Sequence, residues 1–206
     1  MDEKQFVEFL GKIGIRMTEG RPLPYARAME NYGRIKTAFD KSHEDYLSEV
    51  KKLAGENTMK IPELNLIYFA NFAWEARKNY DRIGISEKIY WDTMSDIRVW
   101  TEHCGRVFHQ FGLMQTGWLQ HHIKLLVFRL GRLQFEMGRF IAEKDHEQME
   151  DQAPVLQVHI AEGEPLKHEE CLRSYGEAVE FFRDKEEQFH FYPKAFLCYS
   201  WLMHPN

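Results

Sequence analysis

The sequence predicts an α+β protein, with a helical N-terminal half followed by a mixed β-sheet half that contains a βαβ unit. Three observations predict it. Through about the first 125 residues the apolar positions recur every three or four residues, the period of an amphipathic helix. Near Phe128 the period changes, and Leu133, Phe135 and Met137 alternate with Arg132, Gln134 and Glu136, as in a half-buried strand. Farther on, the β-branched run Pro154–Ile160 and the apolar run Ala195–Leu202 flank a helical pattern from Glu169 to about Lys185. Strand, helix and strand at this length form a right-handed crossover between parallel strands. The division that follows is a helical domain over 1–125 and a mixed-sheet domain over 126–206.

The elements follow in order. Phe6, Phe9, Leu10 and Ile13 share one helical face within Asp2–Gly14, and Arg21-Pro-Leu-Pro24 breaks the pattern. A helix from about Ala26 to Phe39 comes next, then one over His43–Leu53 capped by Ser42, with Gly55-Glu-Asn57 as its stop. Pro62 begins a long helix through Leu66, Phe69, Ala73 and Trp74 to about Arg82, ending before Gly84. Ser86 opens another, and Ser95 caps a longer one that turns Ile97, Trp100, Cys104, Val107 and Phe108 inward. The strand over Leu130–Phe140 pairs with Pro154–Ile160 as an antiparallel hairpin, joined by the acidic stretch Glu143–Gln152. Ala161–His168 is a Gly/Pro-punctuated loop leading into the crossover helix.

Composition narrows the function classes. The 206 residues are 44% hydrophobic with a formal net charge of −5, which fits a folded globular chain and opposes nucleic-acid binding through a bulk positive field. The start Met-Asp-Glu-Lys has no signal-peptide apolar region, and no apolar run approaches the length of a membrane span. Cys104, Cys171 and Cys198 are odd in number and scattered, as suits reduced thiols in a cytoplasmic protein. No nucleic acid and no membrane are expected as partners.

Five segments in three groups carry a family resemblance. They are Ser95-Asp-Ile-Arg-Val-Trp100 with Trp118-Leu-Gln-His-His122, Phe128-Arg-Leu-Gly-Arg-Leu-Gln-Phe-Glu136, and Val158-His-Ile-Ala-Glu-Gly-Glu-Pro-Leu166 with Phe196-Leu-Cys-Tyr-Ser-Trp-Leu202. Together they resemble the bacterial GNAT-like acyltransferase-domain proteins, in which a helical N-terminal domain precedes a GNAT-like C-terminal domain. The most specific pieces are Gly131–Glu136 and His159–Leu166. The resemblance implies acyl transfer from acetyl-CoA or another acyl-CoA, as substrate, to an amine or small-molecule acceptor. The pantetheine is then expected between the two parallel strands, and the pyrophosphate over the loop into the helix. In this sequence Glu162-Gly-Glu-Pro165 stands where typical GNAT enzymes carry a glycine-rich pyrophosphate loop, and no residue matches their tyrosine acid. The family pattern is expected to run on beyond Asn206.

Site candidates follow from placement. His159 and Glu162, at the end of the first crossover strand, are candidate general bases for the attacking amine; the plainer alternative is a sheet histidine bonded to a neighbour and a solvated loop acid. Gly163, Leu166, Lys167 and His168 are candidates to hold phosphate through backbone N–H groups and the Lys167 ammonium, against an ordinary loop with a lysine in solvent. No metal is expected: Glu143-x-x-His146 is a single copy of a motif that needs two, and adjacent His121 and His122 diverge on a helix. Cys198 reads as structural, and Trp74, Trp91, Trp100 and Trp118 as core. The competing reading is a non-catalytic interaction module with a degenerate GNAT-like fold. The apolar C-terminal run is expected to form a sheet edge, covered by the N-terminal helices or paired with a second copy as a homodimer.

Overall fold

The structure, a computed structural model, describes residues 1–17, 23–142, 149–163 and 165–199. The chain forms two compact units, one of residues 1–82 and 94–124 and the other of residues 83–93 and 125–206.

The first unit is built of helices. α1 (Glu3–Lys12) starts at a capping box in which the Asp2 side chain and Gln5 satisfy each other's backbone N–H groups, and it buries Phe6, Phe9 and Leu10. The helix expected over Ala26–Phe39 is two helices, α2 (Tyr25–Met29) and α3 (Tyr32–Lys41). Between them the Asn31 N–H bonds Ala28 O, a tightened turn that redirects the chain. α4 (His43–Asn57) has the expected Ser42 cap but runs through Gly55 and ends at Thr58, whose φ of 55° stops it. α5 (Ile61–Ile83) is the centre of the unit: every residue from Leu64 to Ala73 is buried, so it is apolar all round rather than along one stripe. Phe39 stacks on its Phe72 with centroids 4.3 Å apart. Within that buried run Asn65 accepts from the Tyr46 hydroxyl at 2.7 Å and donates to Leu113 O at 2.9 Å.

α6 (Glu87–Met94) runs almost directly into α7 (Asp96–Phe108), because Ser95 between them is itself helical and makes no side-chain cap. Ile97 and Cys104 are buried as expected. Val107 and Phe108, expected inward, are 53% and 43% exposed; they lie in the last turn, just before His109 turns left-handed and ends the helix. α8 (Thr116–Ile123) closes the unit. Here His43 Nε2 lies 2.9 Å from Thr116 Oγ1, and burial, then Lys124 and His121, depress the His43 pKa below its ordinary 6.5. A depressed histidine contributes stability that is present above the unfolded value and lost as pH falls through the folded one. The melting temperature is therefore expected to fall on acidification below pH 6.5, and a His43→Gln variant to show a flatter decline.

The second unit carries a sheet of order β1-β2-β3-β4 among the described residues. β1 (Val127–Leu130) and β2 (Leu133–Arg139) form a tight hairpin, so the single strand expected over Leu130–Phe140 is split by a turn at Gly131-Arg132. β3 (Pro154–Ile160) pairs antiparallel with β2 in the expected hairpin, Phe135 opposite Val158. α9 (His168–Asp184) and the short α10 (Glu186–Phe189) then lead to β4 (Ala195–Leu197), parallel to β3. The βαβ unit is thus as expected, while the last strand is shorter within the described residues; positions 200–202 lie outside them.

The register separates two faces of this sheet. Phe128, Leu133, Phe135, Val158 and Leu156 share one, against which α9 packs: Phe128 meets Phe181 at 5.0 Å and Phe135 meets Tyr175 at 5.9 Å. The other carries Arg129, Gln134, Glu136, Gln157 and His159. The two-residue alternation predicted the core side, where Leu133 and Phe135 are buried and Met137 is half-buried. It also predicted a solvated polar side, which is not found: Gln134 is 2% and Arg132 5% exposed.

Candidate active site

His159 and Glu136 meet on the polar face. Gln134 lies directly across from His159, and Glu136, two residues along β2, reaches it diagonally. His159 Nε2 stands 2.9 Å from Glu136 Oε2, with the histidine side chain 33% exposed and the glutamate 15%. A carboxylate at that distance takes the Nε2 proton as a hydrogen bond and so fixes the ring's orientation on the strand. Gly138 serves the same face, since a Cβ there would stand 2.8 Å from the Gln157 amide.

Glu162 lies in the exposed loop after β3, apart from the strand pair. Gly163 has φ of +100°, a conformation that only glycine adopts without strain, although the space beside it is open. Leu166 is 44% exposed. Lys167 is the extended residue before α9, and His168 is the first residue of the helix. The Lys167 ammonium bonds Glu170 Oε1 at 3.0 Å, so the cation expected at a phosphate is shared with the first helical turn. Among the described residues no cluster of three or more His, Cys, Asp or Glu could hold a metal, and Glu143 and His146 lie outside them.

Sequence reasoning missed Glu136, which was read as a solvent-facing strand residue. It also missed Arg132. The Arg132 backbone N–H donates to Ser174 Oγ at 2.8 Å, and its Nε donates to Pro165 O at 3.1 Å. The signal for both was the Gly131–Glu136 segment itself, whose three polar positions were assigned to solvent because a strand's second face commonly is. A cavity of ≈ 330 Å³ opens between Leu156, Phe182, Tyr192 and Phe196; it lies on the α9 side of the sheet, away from the His159–Glu136 pair.

The first resemblance segment also closes on itself. Asp96 and His122 are each 1% exposed, and Asp96 Oδ2 receives the indole N–H groups of Trp100 at 3.1 Å and Trp118 at 2.8 Å, with His122 Nε2 at 3.3 Å. The two tryptophans are therefore half-buried with their N–H edges tied to a carboxylate, and Trp74, 37% exposed, and Trp91 are likewise only partly covered; none of the four is the fully buried core residue the spacing predicted. Removing the carboxylate strands several buried donors, so Asp96→Ala is expected to cost about 3 kcal/mol. Thermal denaturation should show it as a drop of roughly 6–12 °C.

Among the described residues no helix is long and apolar enough to cross a membrane. The family model for the N-acyltransferase N-terminal domain matches residues 4–125, and that for the GNAT-like C-terminal domain matches residues 127–206. A search of curated proteins found no match. Among solved structures, the chain is similar to an acyltransferase in complex with CoA and 10C-teicoplanin, at TM-score 0.72 and 18% identity over 96% of this chain and 62% of that one. It is similar also to an acyltransferase mutant in complex with octanoyl-CoA, at TM-score 0.73 and 17% identity over 100% of this chain and 64% of that one. A third, an acyltransferase with decanoyl-CoA and teicoplanin, gives TM-score 0.67 at 18% identity. The chain spans less than two thirds of the length of these structures, and identities this low carry the likeness of fold alone. With both family models matched in order along its length, the chain belongs to the acyltransferase family that joins an N-acyltransferase N-terminal domain to a GNAT-like C-terminal domain.

Proposed function

We propose that this protein transfers an acyl group from an acyl-CoA to an amine on a small-molecule acceptor, with His159 as general base and Glu136 as the group that orients it. The observation that carries this reading is the 2.9 Å contact between His159 Nε2 and Glu136 Oε2 on a half-exposed strand. With its ring oriented by Glu136, the His159 imidazole takes the proton lost by the acceptor amine as its nitrogen bonds to the thioester carbonyl carbon. The tetrahedral intermediate then collapses, the C–S bond breaks, and the CoA thiolate leaves and takes up a proton. Glu162, one turn of loop beyond β3, is a second acid at the mouth of the same strand end. The diphosphate is assigned to the start of α9, with the backbone of Gly163 and Leu166–His168 and the Lys167 ammonium as its holders. The similar structures named with octanoyl-CoA and decanoyl-CoA support a medium-length chain as the first donor to try.

The edge of β4 that carries no further strand among the described residues, with Phe196 37% exposed and Tyr199 just beyond it 77% exposed, is assigned to pairing with a second copy, which sedimentation of a Tyr199→Lys variant checks. The catalytic reading is tested by following thiol release from octanoyl-CoA with a panel of primary amines. Release that rises with an amine supports it. Release unchanged by every amine, with no heat of CoA binding at millimolar concentration, overturns it in favour of a non-catalytic interaction module.

A further inference from the structure

The Gly131-Arg132 turn does more than join two strands. Arg132 is 5% exposed, and a guanidinium is withdrawn from water to this degree only when it is held by partners. Two of its bonds run to different segments. The backbone N–H reaches Ser174 Oγ, whose own proton goes to Glu170 O at 2.9 Å, so the hydroxyl is used as donor and acceptor within the first two turns of α9. The side-chain Nε reaches Pro165 O, in the loop that precedes the helix. Arg132 is therefore bonded to the loop and to the helix at once. The approach is close enough to exclude any side chain at position 131: a Cβ on Gly131 would fall 2.7 Å from Ser174 Oγ, and its φ of +66° already favours glycine. Arg129, 9% exposed, supports the same turn through Nε to Gly131 O at 3.4 Å, and its N–H is anchored on Thr93 Oγ1.

We infer that Arg132 is the positioning residue of the loop Ala161–His168, holding the Pro165 carbonyl so that the backbone N–H groups at the start of α9 keep one arrangement for the diphosphate of an acyl-CoA. This rests on the acyl-CoA reading above. The loop lacks a run of glycines that would wrap an anion by itself, having only Gly163 among Glu162, Glu164, Pro165 and Leu166, so its geometry is imposed from the neighbouring hairpin. A guanidinium suits the task because Nε–H sits in a rigid plane, whereas a lysine ammonium on a flexible stem directs its bonds less well.

The test uses Arg132→Gln and the conservative Arg132→Lys in the full chain, with hydrogen exchange of residues 161–170 and octanoyl-CoA kinetics read side by side. The expected result for Arg132→Gln is faster exchange confined to that segment and a KM for octanoyl-CoA raised about tenfold with kcat within twofold, on the scale of one charge-assisted hydrogen bond. Arg132→Lys should fall between it and the wild type, and supplies the measurement if the glutamine variant does not fold. A merely structural role predicts the opposite split, with a lower kcat from fewer folded molecules at unchanged KM, and that result overturns the inference. So does faster exchange with unchanged KM. If the wild type neither binds nor turns over octanoyl-CoA, the functional reading itself has failed and the inference falls with it; the wild-type control separates that case from the other two.

Discussion

His159→Ala is expected to lower kcat for amine-dependent thiol release from octanoyl-CoA by roughly 10²–10⁴-fold, the range over which a positioned general base acts. KM for the thioester should change little, because the imidazole is assigned to the acceptor's proton and not to the donor's phosphates. Glu136→Gln should give a smaller loss in kcat, roughly tenfold, since the amide keeps the length of the side chain but no longer stabilises a protonated imidazole at 2.9 Å. A His159→Ala variant with full turnover would remove the base from the scheme and transfer attention to Glu162. A Glu136→Gln variant with full turnover would leave His159 as a base that needs no orienting partner.

Gly112→Ala is expected to destabilise the helical unit by more than about 4 kcal/mol, enough to prevent accumulation of folded protein at 37 °C. The residue has φ of +133°, and a Cβ there would stand 2.2 Å from both the carbonyl carbon and the oxygen of Pro62. These are backbone atoms and cannot swing aside. They also belong to a ladder of bonds that seats the segment after α7 on the first turn of α5: Leu113 N–H donates to Pro62 O at 2.9 Å, and Asn65 donates to Leu113 O. A comparison with Gly11→Ala, where the space is open and the helix gains propensity, isolates the steric effect from the general removal of a glycine. Circular dichroism of the two variants under increasing urea reads the difference directly; equal midpoints would refute the clash.

The helices were legible because their apolar period persists over long windows, and they were misread where a local event interrupts it. Nothing at Glu30-Asn31 marks a break in composition, so the redirection between α2 and α3 is a tertiary choice. β1 was hidden for a different reason. The apolar run Leu125–Phe128 is too short to show either period, and the alternation of Leu130 to Met137 runs straight through the turn that divides it. The βαβ unit was legible because length, period and punctuation agreed. Within the site, His159 could be placed from its position near a strand end. Its partner Glu136 could not, because a register sets that contact across 23 residues, and the same register buries a polar face that composition alone assigns to water. Arg132 likewise becomes meaningful only when the hairpin brings it beside Pro165 and Ser174.

The second compact unit is assembled from two stretches of chain, and that arrangement imposes an order on its birth at the ribosome. Residues 83–93 belong to it, yet Leu125 is made thirty-two residues after Thr93, which at a synthesis rate of about 5–20 residues per second is a wait of roughly 2–6 seconds. Thr93 is fully buried in the finished molecule as the acceptor for the Arg129 N–H, and Ile85 and Tyr90 on the same stretch are 4% and 1% exposed. During the wait Thr93 has no Arg129 to accept from. The nascent chain therefore carries a sticky, half-finished segment in its middle while the residues that follow it are still being made, and this interval is where a holding chaperone would find its natural foothold.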